Sequence, residues 1–309
     1  MKCHYVPQFY LKNFSIPSKL GGVYAYRRKV KPFETTTTSI AAKNDLYVFT
    51  DKFTGKKNDE IEKMFSWLEG LTAPIIEKIN NDTPLTKLTN TEHNILSEFI
   101  AYLYVRNLSF REKQKNIAST TIKIQMEFLA EDEEKFKKAL HETGHDKEDA
   151  GKMREYALNF DKHFKIDWGK KNNDYFLKQA LLLALKISQQ IFYKEWYIVD
   201  NQTSRVFITS DNPVILMRPL NLPPFYGLGI LNSHIIVPTS PTKALLLRFT
   251  GNKPGDPKVV KANREFVLSV NRHTMFYAHK FIYSNLLSKD IERDFNMTED
   301  GKSERIVVS

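Results

Sequence analysis

The sequence contains little cysteine and no long apolar run. Cys3 is the single cysteine among 309 residues, which excludes a disulfide within the chain and a zinc site made of thiolates. The longest aliphatic run, residues 180–185, is much shorter than the roughly 20 residues of a membrane-spanning helix. Lys2 is followed by polar and aromatic residues, so no secretory signal is predicted. We therefore expect a cytoplasmic protein that has no membrane partner.

The sequence also lacks the short motifs that bind nucleotides or mark common hydrolases. Gly227 and Gly229 have no third glycine after them, and the chain has no Walker loop, Gly-x-Ser-x-Gly elbow or His-Glu-x-x-His pair. His141 and His145 lie on either side of Gly144, which favours a solvated helix end over a metal site. No nucleotide cofactor is predicted, and the use of a divalent metal stays open.

Charge is the strongest signal in the composition. The chain has 46 Lys and Arg against 36 Asp and Glu, a formal net charge of +10. An excess of this size favours a polyanionic partner such as nucleic acid. Lysine-rich helix faces without a functional purpose produce the same excess, so both interpretations stay open.

The order of the predicted elements indicates an α+β fold. Residues 1–55 are β-rich, residues 58–193 are helical, and residues 195–285 are β-rich with one helix. This order differs from the strict alternation of a parallel α/β fold. We expect one domain over residues 1–288, in which a central helical bundle packs against a mixed sheet built from the N- and C-terminal thirds. A charged tail over residues 289–309 is expected to fray.

Capping motifs and apolar periodicity predict individual elements. Thr89 with Glu92 and Ser109 with Glu112 form capping boxes, the second of which opens one long helix to about residue 141. The most apolar helix, residues 175–193, is expected to be central. Strands are expected at 23–26 and 46–49, and a β-hairpin from 196–199 and 205–208.

The first fourteen residues combine aromatic and polar side chains at high density. They follow the pattern His-x-x-Pro-x-Phe/Tyr-x-Leu-x-x-Phe, with His4, Pro7, Phe9, Leu11 and Phe14 at the specified positions. This pattern resembles the opening signature of a bacterial family known as domain of unknown function 4238. Further points of resemblance are Asn44 to Tyr47, Ile61 with Glu62 and Glu69, Arg106, residues 207–213, Asn271 and Ala278. The resemblance covers about residues 1–285 and implies one continuous unit, but it implies no activity.

His4 is the leading candidate for acid–base chemistry. The pKa of histidine lies nearest neutrality, and His4 stands between hydrophobic neighbours. The alternative is a satisfied core histidine that anchors the segment through hydrogen bonds. Gln8 lies four residues later and would share a face with His4 in a helix.

Residues 210–213, Ser-Asp-Asn-Pro, directly follow a predicted strand. Loops at the end of a strand often present functional side chains, which makes Ser210, Asp211 and Asn212 candidates. The alternative is structural, because Asp, Asn and Pro are also the residues that build turns.

Glu62 and Glu69 are seven residues apart and lie on one face of a predicted helix. Such a pair can hold a divalent metal or divide acid and base roles, or it can be a solvated edge. Arg106 stands in the most hydrophobic part of the next helix and therefore needs an anionic partner, either a carboxylate such as Glu69 or a substrate phosphate.

Arg27 and Arg28 follow Tyr24 and Tyr26 in a basic, aromatic segment. This combination is typical of surfaces that stack the bases of single-stranded nucleic acid. An edge strand protected by basic residues has the same composition.

These residues lead to a nuclease as the first functional hypothesis, with RNA favoured over DNA and a role in phage defence or as a toxin. The expected catalytic residues are His4, Glu69, Arg106 and Asp211. The expected substrate-binding residues are Gln8, Arg27, Arg28, Ser210 and Asn212. The alternatives are a non-catalytic module that binds nucleic acid or a nucleotide, and a protein-interaction component of a defence assembly.

Overall fold

The computed structural model describes residues 1–50, 55, 57–81, 87–145, 149–169, 173–217, 234–248 and 255–298. The elements are, in order, β1 (Lys2–His4), α1 (Gln8–Lys12), β2 (Gly22–Arg27), β3 (Val30–Thr36), β4 (Ala42–Asn44), β5 (Phe49–Thr50), β6 (Lys57–Asn58), α2 (Glu60–Asn81), α3 (Asn90–Val105), α4 (Leu108–Glu131), α5 (Glu133–Glu142), α6 (Ala150–Leu158), α7 (Phe160–His163), α8 (Asn173–Phe192), β7 (Glu195–Asp200), β8 (Thr209–Ser210), β9 (Ile215–Met217), β10 (His234–Pro238), β11 (Lys243–Arg248), β12 (Lys258–Lys261), α9 (Arg264–Tyr277), β13 (Phe281–Ser284) and α10 (Lys289–Met297). Helices fill the middle of the chain and strands lie on both sides, which confirms the α+β class.

The described residues form two compact units. Residues 1–109 and 179–309 contribute to the first, and residues 110–178 to the second. The second unit contains α5, α6 and α7, and its small core is built from Ala130, Phe136 and Ala157. All elements discussed below as a candidate site belong to the first unit.

Strands from the two ends of the chain share a sheet, as predicted. Its order is β3-β2-β13-β8. Ile282 of β13 lies opposite Tyr26 of β2 on one side and Ser210 of β8 on the other. Another sheet, with the order β12-β7-β11-β10-β9, uses only residues from the C-terminal third. The prediction that the N- and C-terminal thirds of the chain meet in one sheet is therefore confirmed for the sheet β3-β2-β13-β8.

Apolar faces of two helices cover these sheets. On α9, Val267 and Val270 pack with Val199, Phe207 and Ile236 around the second sheet. Phe295 of α10 is 1% exposed and packs with residues of the first sheet. The prediction of a frayed tail is therefore wrong for residues 289–297, because Ser288 caps α10 and Phe295 anchors it.

Several other predictions need correction. The predicted long helix is divided into α4 and α5 because the Asp132 side chain caps α5, accepting from the Lys135 N–H. Residues 45–47 form a turn instead of a strand. The predicted hairpin is wrong, because β7 pairs with β11 and β12. The helix expected to be central, α8, exposes Leu182 and Leu185.

None of the helices in the described ranges is long and apolar enough to cross a membrane.

Candidate functional site

His4 is positioned by the strand that it ends. Cys3 and His4 of β1 lie opposite Lys43 and Ala42 of β4 in an antiparallel pair. Successive side chains of a strand point to opposite faces, so Cys3 is fully buried while His4 is only half-buried. Pro7 then precedes α1, where its fixed φ and missing N–H suit the start of a helix.

The imidazole of His4 is held at both ring nitrogens. Its Nε2 lies 3.3 Å from the carbonyl oxygen of Thr38, and its Nδ1 lies 3.4 Å from Nε2 of Gln8. The carbonyl only accepts, so Nε2 carries the proton and the Gln8 amide donates to Nδ1. Rotation of the Gln8 amide would present its oxygen to a protonated Nδ1, so both protonation states of His4 can be satisfied.

Arg106 occupies the C-cap of α3 and is paired with Glu69 on α2. Its Nη1 donates to Oε1 of Glu69 at 2.8 Å, and the Arg106 side chain is 3% exposed against 25% for Glu69. The guanidinium carbon lies 5.1 Å from the centre of the Phe65 ring. The hydroxyl of Tyr47 donates to the Arg106 carbonyl at 2.8 Å. The predicted partnership of Arg106 with Glu69 is confirmed.

His4, Glu69 and Arg106 lie within electrostatic reach of one another. Burial lowers the pKa of His4; the Thr38 carbonyl raises it, as does the charge of Glu69, whereas the charges of Lys2 and Arg106 lower it. The imidazole is therefore largely neutral at pH 7. Because Glu69 and His4 remain partly accessible, the cluster has a side that faces solvent.

Glu62 joins the cluster from the same helix as Glu69. Burial raises the pKa of Glu62, whereas the charge of Arg106 lowers it, the charge of Glu69 raises it and a hydrogen bond from Cys3 lowers it. The sequence indicated Glu62 through its seven-residue spacing from Glu69 and through the family resemblance, and neither signal distinguishes a site from a solvated edge. Burial decides the question, because Oε2 of Glu62 is inaccessible to solvent.

Three polar atoms of this cluster have no hydrogen-bond partner among the described residues. They are Nε and Nη2 of Arg106 and Oε2 of Glu62, all of them inaccessible to solvent. Buried polar groups are nearly always satisfied in native proteins. Their concentration in one cluster is the strongest sign of a binding site in this region.

Asp211 lies in a different environment from the one predicted for a catalytic carboxylate. It is 1% exposed, and its oxygens accept from three backbone N–H groups, those of His279, Lys280 and Phe281, at 2.8, 2.8 and 3.0 Å. Burial raises the pKa of Asp211, against the effect of these N–H donors. These contacts hold the connection between α9 and β13. They do not support the catalytic role predicted for Asp211.

Ser210 and Asn212 are also buried, and their side chains make hydrogen bonds within the protein. The Ser210 hydroxyl donates to the Asn212 carbonyl and accepts from the Asn212 N–H. The Asn212 amide donates to the Tyr277 carbonyl at 3.0 Å, and its oxygen accepts from the Asn107 side chain at 2.9 Å. Asn107 follows Arg106 directly, so this turn connects the end of α9 to the residue after the buried arginine. No sequence signal pointed to Asn107.

Arg27 and Arg28 differ sharply in their availability. Arg27 is exposed at the end of β2. Arg28 donates to the carbonyls of Thr298 and Met275 at 2.9 and 2.8 Å, and its guanidinium carbon lies 4.4 Å from the centre of the Phe295 ring. These contacts give Arg28 a structural role, and Arg27 alone of this pair is available to a ligand.

Metal ligands and cavities among the described residues do not coincide with the site. No group of three or more His, Cys, Asp or Glu side chains in these ranges is arranged to hold a metal ion. A shallow cavity of about 90 Å³ is lined by Arg205, Asn271 and Asp290 among others, and it includes none of the predicted site residues.

Comparison with known proteins places the chain by family alone. No curated protein matches the chain, and no solved structure matches it. A family model described as protein of unknown function (DUF4238) matches residues 2–286, a range that contains His4, Glu62, Glu69 and Arg106. Because this match spans most of the 309 residues, the chain belongs to the DUF4238 family.

Proposed function

We propose that this protein is a nuclease that cleaves RNA by acid–base catalysis at the cluster of His4, Glu69 and Arg106. The observation that carries the proposal is the buried guanidinium of Arg106, whose Nε and Nη2 have no partner among the residues that the structure describes, beside a half-buried imidazole. A phosphate is a preferred ligand for such a group, and the net charge of +10 favours a polyanionic substrate.

Each residue has a distinct role in the proposed reaction. Arg106 neutralises the phosphate and stabilises the charge that develops on it. Glu69, the more exposed partner of the ion pair, accepts the proton of the ribose 2′-hydroxyl as its oxygen attacks phosphorus. The bond from phosphorus to the 5′-oxygen breaks, and protonated His4 gives its proton to that oxygen. The products are a 2′,3′-cyclic phosphate and a 5′-hydroxyl end.

The lowered pKa of His4 sets an expected pH dependence. The acid form of His4 is needed for proton donation, and its pKa lies below the ordinary value of 6.5. Cleavage should therefore increase as the pH falls from 7 towards the pKa of His4.

Cleavage of end-labelled oligonucleotides tests the proposal. We expect RNA to be cut, and DNA or 2′-O-methyl RNA of the same sequence to stay intact, because both lack the attacking hydroxyl. His4→Ala and Glu69→Gln should each reduce the rate by roughly 100-fold or more, a typical contribution of a general acid or base. His145→Ala, which removes an exposed histidine outside the cluster, should leave the rate unchanged. Equal cleavage by wild type and His4→Ala would refute the mechanism.

Binding without turnover would instead favour the non-catalytic module. In that case affinity for RNA should fall steeply with salt, because counterions are released on binding. Arg27→Ala should weaken it, since Arg27 is exposed. A toxin role, or a defence role that depends on RNA cleavage, requires an active nuclease, and induced expression in a bacterial host tests it through growth arrest that His4→Ala abolishes.

A specific observation also favours the protein-interaction component as a second candidate. Leu182, Leu185 and Tyr193 of the helical segment before β7 are 48, 52 and 59% exposed. Exposed apolar patches mark interaction surfaces more often than chance. Leu182→Glu with Leu185→Glu should abolish recovery of a co-purifying protein if this candidate is correct, and should leave RNA cleavage unchanged.

A further inference from the structure

Two aromatic rings meet at a solvent-exposed corner of the sheet β3-β2-β13-β8. Phe33 of the outermost strand, β3, lies opposite Ala25 of β2. Ala25 is too small to separate the strands on either side of it, and the rings of Phe33 and Phe281 lie 6.4 Å apart between centres, at an angle of 88°. Phe33 is 42% exposed and Phe281 is partly exposed. One face of the Phe33 ring is therefore held in place by an edge-to-face contact while the residue stays accessible.

Positive charge surrounds these rings. Arg27 of β2 is paired with Phe281 of β13, and residues that lie directly opposite each other share a face of the sheet. The side chains of Arg27, Lys31 and Lys280 are exposed. Residues 27–33 include four basic residues and no acidic one. The open corner of Arg27, Phe33 and Phe281 thus combines accessible rings with accessible cations.

The tyrosines that suggested base stacking in the sequence lie on the opposite face. Tyr24 and Tyr26 alternate along β2 with the residues of the open corner, so their side chains point the other way. Tyr26 is 1% exposed, and Tyr24 packs beside it against the core that includes Phe295. The structure thus replaces the expected tyrosines with phenylalanines from two neighbouring strands.

We propose that the open corner binds single-stranded RNA, with an unpaired base stacked on Phe33 and a backbone phosphate bound by Arg27. Phe281 is a positioning residue, since it packs at right angles to Phe33 and fixes the orientation of its ring. Aromatic side chains with nearby basic residues bind unpaired strands because every base has a π-face and every linkage a negative charge. The choice of RNA over DNA rests on the proposed function.

The same edge is poorly suited to the addition of a strand from another protein. Pro32 of β3 has no N–H group to donate to a neighbouring strand. The pairing of β2 with β3 shifts its register between Ala25 and Arg27, and both this irregularity and exposed lysines oppose edge-to-edge pairing. A nucleic acid strand needs neither a regular edge nor free backbone groups.

Substitutions of Phe33 test the stacking contact directly. The probe is a fluorescent 2′-O-methyl RNA 12-mer, which cannot be cleaved through a 2′-hydroxyl, and binding is followed by anisotropy. Phe33→Ala and Phe33→Leu should each weaken binding roughly tenfold, a typical loss for one stacked base. Phe33→Trp should keep the affinity, and RNA should quench the emission of the new indole. Phe128→Ala, which removes a 73% exposed ring of the second unit, should bind as wild type does.

Salt dependence separates the ionic contact from the stacking contact. Arg27→Ala should reduce the slope of log affinity against log salt by about 0.7, the value for one phosphate of a single strand. Phe33→Ala should leave that slope unchanged. A duplex of the same sequence should bind about tenfold more weakly than the single strand, because its bases are already stacked on one another.

The outcomes distinguish this inference from the proposed function. Equal affinities of wild type, Phe33→Leu and Phe33→Ala would overturn the stacking role, and RNA cleavage would still stand on its own assay. The predicted pattern of binding with RNA left uncut would overturn the nuclease and retain the binding surface. Tighter binding of DNA of the same sequence would overturn the assignment to RNA.

Absence of binding by the folded wild type would overturn the inference as a whole. If that protein also eluted as a dimer in size-exclusion chromatography, and Phe33→Ala made it a monomer, the open corner would be a contact between two copies of the chain. Thermal unfolding verifies that each variant is folded, and Phe33→Leu, which keeps an apolar side chain at this position, provides the decisive comparison.

Discussion

Replacing Asp211 by alanine is expected to lower the free energy of unfolding by about 3 kcal/mol. The substitution removes the acceptor of three backbone N–H groups, and Asp211 itself is 1% exposed. Each buried donor left without a partner costs about 1–3 kcal/mol. The lower end applies here because the three N–H groups belong to a part-buried connection in which Lys280 is exposed. The substitution also removes the desolvation cost of the buried Asp211 carboxyl group, which reduces the net loss of unfolding free energy.

The measurement is urea unfolding followed by circular dichroism, with thermal unfolding as a second readout. A loss of about 3 kcal/mol corresponds to a decrease in Tm of roughly 6–12 °C for a unit of this size. Asp290→Ala is the control, because Asp290 is 43% exposed and its ion pair with Arg205 lies at the surface. Its effect should stay within about 1 kcal/mol.

The contrary result would be informative about chemistry. The free energy of unfolding of Asp211→Ala could lie within about 1 kcal/mol of the wild-type value while RNA cleavage is lost. The N–H contacts would then contribute little to stability. Asp211 would then return as a catalytic residue, in the role that the sequence suggested.

Three further predictions concern stability. Phe295→Ala should lower the free energy of unfolding in urea by about 3 kcal/mol because it leaves a cavity under α10. Met297→Ala, at a 74% exposed position, should change this free energy little. Lys243→Ala should cost about 3 kcal/mol, since it leaves the buried carboxylate of Asp200 without its partner at 2.8 Å; an unchanged midpoint would contradict this. Burial lowers the pKa of Lys194 to about 8, so the unfolded state binds more protons above that pH. The free energy of unfolding of the wild type should therefore rise relative to that of Lys194→Met as the pH rises from 8 to 10. Parallel curves of unfolding free energy against pH for the two proteins would rule this out.

Some of the helix boundaries that one side chain decides were predictable. Thr89 and Glu92 form the predicted capping box at the start of α3, and the Asn263 side chain caps α9. Gly144 has a φ of +77°, which favours glycine and ends the helical run there. These signals span three or four residues, so a single sequence contains them in full.

The sharing of one sheet by the N- and C-terminal strands was predictable, whereas the pairing of β7 was not. Residues 196–199 and 205–208 read as a hairpin, but Asn201 donates to the carbonyls of Arg205 and Pro241, and the Ile208 N–H donates to Asn271. Side chains thus satisfy the backbone that a hairpin would have used. The true partners of β7 lie more than 40 residues further along the chain, on β11, and no local pattern specifies them.

The candidate site shows the same division. The need of a buried guanidinium for an anion was enough to name Glu69 as a candidate partner of Arg106, beside a substrate phosphate, and the structure contains this ion pair. The position of His4 depends on β1 pairing with β4, and Oε2 of Glu62 is buried by the residues packed around it. Both are consequences of tertiary packing, which spacing along one helix cannot reveal.

The pairing of β2 with β13 has a consequence for synthesis of the chain. The hydroxyl of Tyr26 donates to the carbonyl of Leu286, 260 residues later. At about 5–20 residues per second, the N-terminal hairpin leaves the ribosome roughly 10 to 50 seconds before its neighbouring strand. Throughout that interval one edge of β2 lacks its partner, and such edges invite association with other chains. The nascent chain therefore passes through a stage at which a chaperone that shields strand edges would raise the yield of folded protein.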